Sequence, residues 1–329
     1  MKEIGINEIK GFRIGQAQNN EAATGCTVII CEKGAVCGVD VRGGSPGTRD
    51  TDSLNPVNNR DKVHAIMLAG GSTFGLDAAG GVMKYLEERR IGRDVEVTVI
   101  PHVSSAILFD LKCGRHDIRP DVGMGYAACE NAYAEQAWQS GNYGAGTGAT
   151  IGKIYGKERA MKGGIGAHAF EYEKLFVGAV MAVNCVGDVF DNRAGKIIAG
   201  ARSADGKGFA DSESVVLEKY SKKFDLFSGH YLGGNTTIGC IITNAKLTKA
   251  HATKLASHGH NGIARTVRPA HTIAEGDTIF SMCSGEIEAS TDAVGILAAR
   301  AVEYAILDAV KNAATIGKFI SLSDYLSLQ

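Results

Sequence analysis

One turn in the sequence carries a residue that can do covalent chemistry only after a peptide bond is cut. Gly233, Gly234 and Asn235 precede Thr236, which opens the apolar run TTIGCIIT. A threonine hydroxyl is a weak nucleophile unless a base lies beside it. The α-amine of an N-terminal threonine is such a base, because its ordinary pKa is about 8. The pattern therefore predicts cleavage between Asn235 and Thr236, with the hydroxyl attacking the preceding carbonyl and water releasing the resulting ester.

The same turn also has an ordinary interpretation. A Gly-Gly-Asn turn before a strand is common, and a threonine at the start of a strand favours that strand whether or not it reacts. On these residues alone both interpretations stay open. Two neighbouring threonines compete for the role of nucleophile, Thr236 and Thr237, and we choose Thr236.

Two other glycine-rich motifs resemble functional loops. GAGTGA at residues 144–149 has part of the dinucleotide-binding fingerprint, which must follow a strand and open a helix. Here helix-like and turn residues precede it, so we predict a packing loop and keep a nucleotide-binding protein as the alternative from another class. GGSTFG at residues 70–75 lacks the GxSxG spacing of a nucleophile elbow, so we predict a tight strand-to-helix turn.

Composition limits the classes of partner. The 329 residues carry a net charge of −1, which gives no electrostatic reason to expect nucleic acid or a membrane surface. No apolar run reaches the roughly 18 residues of a membrane span, and MKEIGINEIK lacks a signal-peptide core. The eight cysteines form no CxxC pair and do not combine with histidines at zinc-ligand spacing. We therefore expect a cytoplasmic protein with no metal and no cofactor.

The elements come in clumps of one type, as the periodicity predicts them. Strands are expected at CTVIIC, AVCGVDV, HAIMLAGG and VEVTVIP, and as a pair within residues 161–191. Helices are expected over residues 76–92 and 123–139, and a surface linker over 203–229. The last third reads strand, helix, strand and long helix. Because strict βαβ alternation is absent, we predict an α+β fold of stacked sheets with helices outside, as a single domain over residues 1–329.

Several blocks resemble one family in chain order. The run NTTIGCIITNAKLTKAHATKLASHGHNGIARTVRPAHTIAEGDTIF is similar to the C-terminal subunit of the DmpA-like peptidases. The likeness continues upstream in MLAGGSTFGLDAAGGVMKYLEE, RPDVGMGYAACENA, GAGTGATIGK, KGGIGAHA and VGAVMAVNCVGDV. The family includes L-aminopeptidase/D-esterases, β-aminopeptidases and nylon-oligomer hydrolases. The resemblance implies a self-cleaving N-terminal-nucleophile hydrolase with a four-layer αββα sandwich, an α subunit of residues 1–235, a β subunit of residues 236–329, and a homo-oligomer such as a tetramer of αβ units.

The resemblance also assigns roles to five residues. Thr236 matches the nucleophile, and Asn184 matches the asparagine that helps to bind the oxyanion. Lys153 aligns with a lysine near the nucleophile, whose cation would keep the terminal amine neutral. Glu275 and Asp277 align with two polar or acidic residues near that amine. Alternate positions on a strand would put both carboxylates on one face, one orienting the amine and hydroxyl and the other holding Lys153.

One segment departs from the aminopeptidase branch of the family. Where that branch has an acidic residue and a tyrosine, SSAILFDL places Ile107 and Phe109. An apolar acyl pocket lacks a partner for a substrate ammonium and accommodates longer aliphatic amides. We therefore expect hydrolysis of small peptides, amino-acid amides or ω-amino-acid oligomers of the 6-aminohexanoate type. Ornithine acetyltransferase-like transfer is the second alternative, since that family also self-cleaves before a threonine.

Overall fold

The computed structural model describes residues 1–134, 137–221 and 234–329. Its helices are α1 (Ala78–Glu88), α2 (Val122–Tyr133), α3 (Ser212–Ser221), α4 (Lys249–Thr266), α5 (Thr291–Lys311) and α6 (Leu322–Ser327). Its strands are β1 (Lys2–Ile4), β2 (Arg13–Asn19), β3 (Thr24–Val41), β4 (Thr48–Arg49), β5 (Val63–Ala69), β6 (Arg93–Asp94), β7 (Val99–Ile100), β8 (Val103–Ile107), β9 (Thr150–Ile151), β10 (Met161–Lys162), β11 (Gly164–Tyr172), β12 (Leu175–Asn184), β13 (Asp188–Asp191), β14 (Lys196–Ala199), β15 (Thr236–Lys246), β16 (Val267–Arg268) and β17 (Thr278–Glu288).

Strand β3 joins two sheets. Its second half pairs with β17 and completes the order β1-β11-β12-β15-β17-β3, in which only β15 and β17 run parallel to each other. Its first half pairs with β2 and β5, and β5 continues to β8 and β4. The pairing register of β3 with β5 shifts between Ile30 and Ala35, where the strand passes from one sheet to the other. The two stretches CTVIIC and AVCGVDV are thus parts of one strand.

Three apolar layers separate four layers of structure. On β12, Val177 and Ala179 face a core shared with α4 and α5, whereas Val180 and Ala182 face a core between the two sheets. The alternation follows from the two-residue period of a strand. A third core lies between the second sheet and helices α1 and α2. The order α4/α5, sheet, sheet, α1/α2 confirms the predicted αββα sandwich.

Two long helices cover the first sheet because each has a buried apolar stripe. In α5 the buried positions recur at helical spacing from Val294 to Val310. Helix α4 begins at a cap, since the Thr248 hydroxyl accepts a hydrogen bond from the backbone N–H of His251. The predicted order of strand, helix, strand and long helix in the last third is confirmed.

Two local predictions are wrong. Residues 95–101 do not form a buried strand. Val97 is 88% exposed, and of this region only the short strand β7 is extended and paired, with β6, because β-branched content alone does not bury a segment. The predicted linker over 203–229 contains helix α3, whose Ser212 is buried and donates its backbone N–H to Asp188. Residues 222–229 of that linker, and Gly233 of the turn, lie outside the described residues.

The GGSTFG motif forms the predicted strand-to-helix turn between β5 and α1. Gly71 has φ +80°, a conformation that glycine adopts without strain, and its backbone N–H donates to the buried carboxylate of Asp110. In the described ranges, none of the helices combines the length and the apolar character that crossing a membrane requires.

Candidate active site

Ends of three strands meet at the cleavage-site candidate. Asn184 is the last residue of β12 and pairs with Thr236, the first residue of β15. Because β15 and β17 are parallel, the segment that enters β17 lies beside the segment that enters β15, and Glu275 forms a bridge with Asn235. The sheet therefore brings together residues that are far apart in sequence.

The peptide bond between Asn235 and Thr236 has its carbonyl held from two sides. The Thr236 hydroxyl donates to the carbonyl oxygen of Asn235. The backbone N–H of Gly276 donates to the same oxygen at 3.0 Å. Two donors on one carbonyl withdraw electron density from its carbon. Thr237 differs, because its hydroxyl is fully buried and accepts or donates no hydrogen bond within the described residues.

The side-chain amide of Asn184 is fixed in orientation. Its Oδ1 accepts from the backbone N–H of Thr150 at 3.0 Å and from Lys153 Nζ at 2.9 Å. Its Nδ2 consequently points the other way and donates to the carbonyl oxygens of Phe109, at 3.1 Å, and Gly234, at 3.2 Å. The amide is thus an oriented donor one residue from the Asn235–Thr236 bond, and in the uncut chain a backbone carbonyl occupies it.

Lys153 lies where two backbone segments approach closely. It follows Gly152, which has φ +66° and would bring a Cβ within 2.1 Å of Ala201 N. Lys153 Nζ also donates to the backbone carbonyl of Asn184 at 2.8 Å and to that of Gly234 at 3.4 Å. Desolvation lowers its pKa to about 8, and the nearby Glu275 carboxyl opposes that shift.

The two acids do not act as a matched pair on one strand face. Both precede β17, so the expected alternation within a strand does not apply. Glu275 Oε1 accepts from the backbone N–H of Val186 at 2.6 Å, and its buried Oε2 has no hydrogen-bond partner within the described residues. Burial, followed by repulsion from Asp277, raises the pKa of Glu275 well above its usual range. Among the described contacts, neither carboxylate forms a hydrogen bond to Lys153.

Asp277 joins strand β15, which begins at Thr236, to His271, a residue that the sequence analysis missed. Its Oδ1 accepts from the backbone N–H of Thr237 at 2.8 Å. Its Oδ2 accepts from the backbone N–H of His271 at 3.0 Å and lies 2.8 Å from His271 Nδ1. The available signal was a histidine six residues before an acid in a short connection, which is too common to single out alone.

A small cavity of about 50 Å³ opens beside this cluster. Its lining residues are Phe109, Asp110, Lys112, Cys113, Thr150, Lys153, Gly156, Lys157, Gly234, Asn235 and Phe319. Of the two predicted pocket residues, Phe109 lines it. Ile107 instead packs in the core under α1 and α2, because it is the last residue of β8 and its side chain faces those helices.

The GAGTGA loop presents carbonyl oxygens to its neighbours and lacks the free N–H groups of Gly144 and Ala145 that a phosphate would need. The backbone N–H groups of Gly144 and Ala145 donate to Gln18 and Thr27. Two carbonyls of the loop, those of Gly146 and Ala149, instead accept hydrogen bonds from the ammonium group of the buried Lys162 at 3.1 and 2.8 Å. The same ammonium group donates to the carbonyl of Gly163 at 3.0 Å. Phosphate sites need free N–H donors, so this arrangement disfavours the nucleotide-binding alternative. Within the described residues no cluster of three or more His, Cys, Asp or Glu side chains is arranged to hold a metal ion.

Comparison with known proteins adds independent information. The model of peptidase family S58 matches residues 5–320. An uncharacterized aminopeptidase of Mycobacterium tuberculosis (strain H37Rv) is 38% identical, covering 94% of this chain and 89% of the relative. A 6-aminohexanoate-oligomer endohydrolase of Paenarthrobacter ureafaciens is 31% identical, covering 92% and 85%.

Two solved structures share the fold. The L-aminopeptidase D-Ala-esterase/amidase of Ochrobactrum anthropi, described as a variant of the Ntn hydrolase fold, has a TM-score of 0.70 at 17% identity, covering 98% of this chain and 92% of that one. A β-aminopeptidase of Burkholderia has a TM-score of 0.68 at 18% identity, with 98% and 93% covered. These matches disfavour the acetyltransferase alternative. With a family model matched over nearly its whole length and relatives at 31–38% identity, the chain belongs to peptidase family S58 and is a hydrolase of peptide or amide bonds.

Proposed function

We propose that the chain cuts itself between Asn235 and Thr236 and that Thr236 is then the nucleophile of the mature hydrolase. The observation that carries this proposal is the contact of the Thr236 hydroxyl with the Asn235 carbonyl, which also receives the Gly276 N–H at 3.0 Å. The hydroxyl of one residue and the carbonyl before it are the two groups that an N-to-O acyl shift must bring together.

Self-cleavage then proceeds in two steps, an acyl shift from nitrogen to oxygen and hydrolysis of the resulting ester. Thr236 Oγ1 forms a bond to the carbonyl carbon of Asn235 while the bond from that carbon to Thr236 N breaks. The hydroxyl proton moves to the departing nitrogen, which becomes a free amine. Water next attacks the ester, releasing the carboxylate of Asn235 and restoring the hydroxyl. The Gly276 N–H stabilises the oxyanion in the first step, because it already lies on that oxygen.

Cleavage would also free the groups that later act on substrate. Departure of the new C-terminus removes the Gly234 carbonyl from Asn184 Nδ2, which becomes available for a substrate oxyanion. The new amine of Thr236 is the base for its own hydroxyl. Oε2 of Glu275, which has no hydrogen-bond partner among the residues that the structure describes, is available to orient that amine, because Glu275 forms a bridge with Asn235. The Lys153 cation favours the neutral form of the amine by charge repulsion.

A denaturing gel with intact-mass analysis tests the cut. Purified wild-type protein should yield fragments 1–235 and 236–329, whereas Thr236→Ala should remain one chain without hydrolase activity. Thr237→Ala is the matched control, because it removes a neighbouring threonine hydroxyl that has no hydrogen bond within the described residues. A wild-type chain that stays intact, or a Thr236→Ala chain that is still cut at this bond, would overturn the proposal.

The charges at the cavity bear on the substrate. Three lysines line it, Lys112, Lys153 and Lys157, against one acid, Asp110. The Asp110 carboxylate already accepts hydrogen bonds from Thr24 Oγ1 at 2.7 Å and from the backbone N–H of Gly71 at 2.7 Å. A cationic surface repels a substrate ammonium and attracts a carboxylate.

We therefore infer that substrates are small peptides, amino-acid amides or ω-amino-acid oligomers of the 6-aminohexanoate type, with carboxylate-bearing aliphatic oligomers preferred. A panel of 6-aminohexanoate oligomers, β-peptides and L-amino-acid amides tests this preference through kcat/KM. Higher values for L-amino-acid amides would instead support aminopeptidase specificity.

We also propose a cytoplasmic homo-oligomer. All eight cysteines are free thiols, as in proteins of a reducing compartment. Light scattering of the processed protein would test the oligomer, and fractionation of the producing cells would test the location.

A further inference from the structure

A second cavity, of about 440 Å³, lies away from the catalytic cluster. Its lining residues are Lys33, Asn59, Arg60, Asp61, Lys62, His64, Gly92, Arg93 and His102. The volume is within the range of sites that hold small ligands. The cavity is formed by the bend of β3, the segment before β5, and the segments on both sides of the β6–β7 hairpin.

Positive charge dominates this cavity. Four of its lining side chains are cationic and one is acidic. Arg60 pairs with Asp50 at 3.1 Å. Within the described part of the chain, no carboxylate lies within ion-pair distance of Lys33, Lys62 or Arg93. A chain whose net charge is −1 thus gathers uncompensated cations around one concave surface. Such an arrangement raises the local concentration of anions.

Two buried histidines add directional donors. His64 Nδ1 accepts the backbone N–H of His102 at 3.2 Å, so in the neutral ring the proton is on Nε2. His102 is only 6% exposed, and its Nε2 is buried without a hydrogen-bond partner among the described residues. An unpaired buried polar group destabilises the folded state, because it has lost its hydrogen bonds to water. A ligand oxygen would give it a partner.

The two cavities lie at opposite ends of one strand. His102 directly precedes β8, and Phe109, which lines the catalytic cavity, follows its C-terminal end. Seven residues of extended chain span about 20 Å. The cationic cavity is therefore separate from the groups around Thr236.

We propose that this cavity is a binding site for a phosphate-type oxyanion. Arg93 and Lys62 provide the charge, and His102 provides a buried donor. Guanidinium and ammonium groups bind phosphate oxygens through charge-assisted hydrogen bonds, which are about twice as strong as neutral ones. The site is open enough for the anion to be free phosphate or the phosphate group of a larger molecule. The inference does not rest on the self-cleavage of the chain.

Isothermal titration calorimetry on the full-length protein tests the site. The ligands are inorganic phosphate, phenyl phosphate and acetate, at pH 7.5 and at constant ionic strength. We expect one saturable phosphate site per chain and weaker binding of acetate. Equal or tighter binding of phenyl phosphate would identify the ligand as a phosphomonoester, whereas weaker binding would identify free phosphate.

Matched variants distinguish phosphate binding in this cavity from nonspecific attraction to the positive charges of the protein surface. Lys62→Gln/Arg93→Gln should weaken phosphate binding by about tenfold or more. Lys10→Gln/Lys84→Gln removes the same charge from exposed positions outside the cavity and should leave binding within about twofold. His102→Phe should also weaken phosphate binding while keeping the unfolding midpoint of the wild type. If the double variant does not fold, unchanged phosphate binding in His102→Phe would overturn the proposal. Absence of saturable binding, or an equal loss in both double variants, would overturn the proposal.

Discussion

Among single residues, the active-site candidate depends on the buried acid Asp277, which among the described contacts forms no hydrogen bond to the hydroxyl of Thr236 or to Lys153. Asp277 connects His271 to the backbone N–H of Thr237, and so fixes the strand position next to Thr236. A buried carboxylate needs its donors, because each lost partner leaves charge without compensation. His271 is thus a positioning residue in this arrangement.

Replacing His271 should slow both self-cleavage and hydrolysis. We expect His271→Ala to lower the rate of fragment appearance by about tenfold, equivalent to about 1.4 kcal/mol. His271→Asn should recover part of the rate, because its amide N–H can donate to the same Asp277 oxygen. Time courses on freshly refolded chains measure both. Wild-type rates in His271→Ala would show that the imidazole positions nothing.

At the scale of elements, the 144–149 loop is held by one buried cation. Lys162, at the end of β10, donates to the carbonyls of Gly146, Ala149 and Gly163. The loop leads directly to Thr150, whose N–H fixes the amide of Asn184. Desolvation lowers the pKa of Lys162 to about 8. Burying this charged group is therefore unfavourable, but it holds the loop that positions the N–H of Thr150.

Lys162→Met should destabilise the chain and change its pH dependence. The substitution removes the ammonium donor from the carbonyls of Gly146, Ala149 and Gly163. Because Gly146 and Ala149 keep backbone N–H donors at 3.2 and 2.9 Å, the loss should be about 1–3 kcal/mol in total. In the wild type, the folded state binds fewer protons than the unfolded state between pH 8 and about 10.5, so stability rises across that window. This rise should be smaller in Lys162→Met. Urea unfolding at pH 7 and pH 10, in an uncut Thr236→Ala background, measures the difference, and equal pH slopes would contradict the role.

The sequence was most informative about strands with continuous apolar runs and about helices with an apolar stripe. Strands β11, β12, β15 and β17 and helices α4 and α5 follow their hydrophobic patterns, and the family resemblance located Asn184 and Thr236 at two strand ends. The hydrogen-bond partners of the two carboxylates were not predictable, because Glu275 bonds Val186 and Asp277 bonds His271 only through tertiary contacts. For the same reason VEVTVIP was mistaken for a buried strand, since nothing packs over Val97.

At the scale of the whole molecule, the proposed cut divides the sheet without dividing the fold. Strands β15 and β17 would belong to the 236–329 fragment, yet they lie between β12 and β3 of the other fragment. Helices α4 and α5 would go with the smaller fragment, and there α5 packs on β11 and β12 while α4 packs on β3, all of which belong to the larger fragment. Separation would expose the apolar surfaces of two cores.

We therefore expect the two fragments to remain together after cleavage. Gel filtration under native conditions should give one peak that contains both fragments in equal amounts, and only denaturant should separate them. The uncut Thr236→Ala chain provides the reference elution volume. Loss of the 236–329 fragment on dilution would contradict this expectation.

The pairing of Asn184 with Thr236 has a consequence for how activity begins. The bond proposed to be cut is flanked by groups from residues 184, 236 and 276, which meet only when β12, β15 and the segment before β17 have joined one sheet. In a newly made chain that is misfolded, these three residues do not come together. On the proposed mechanism such a chain is not cleaved and never gains the free amine of Thr236. Maturation would thus act as a checkpoint, and a cell would contain an active hydrolase only where a correctly finished copy exists.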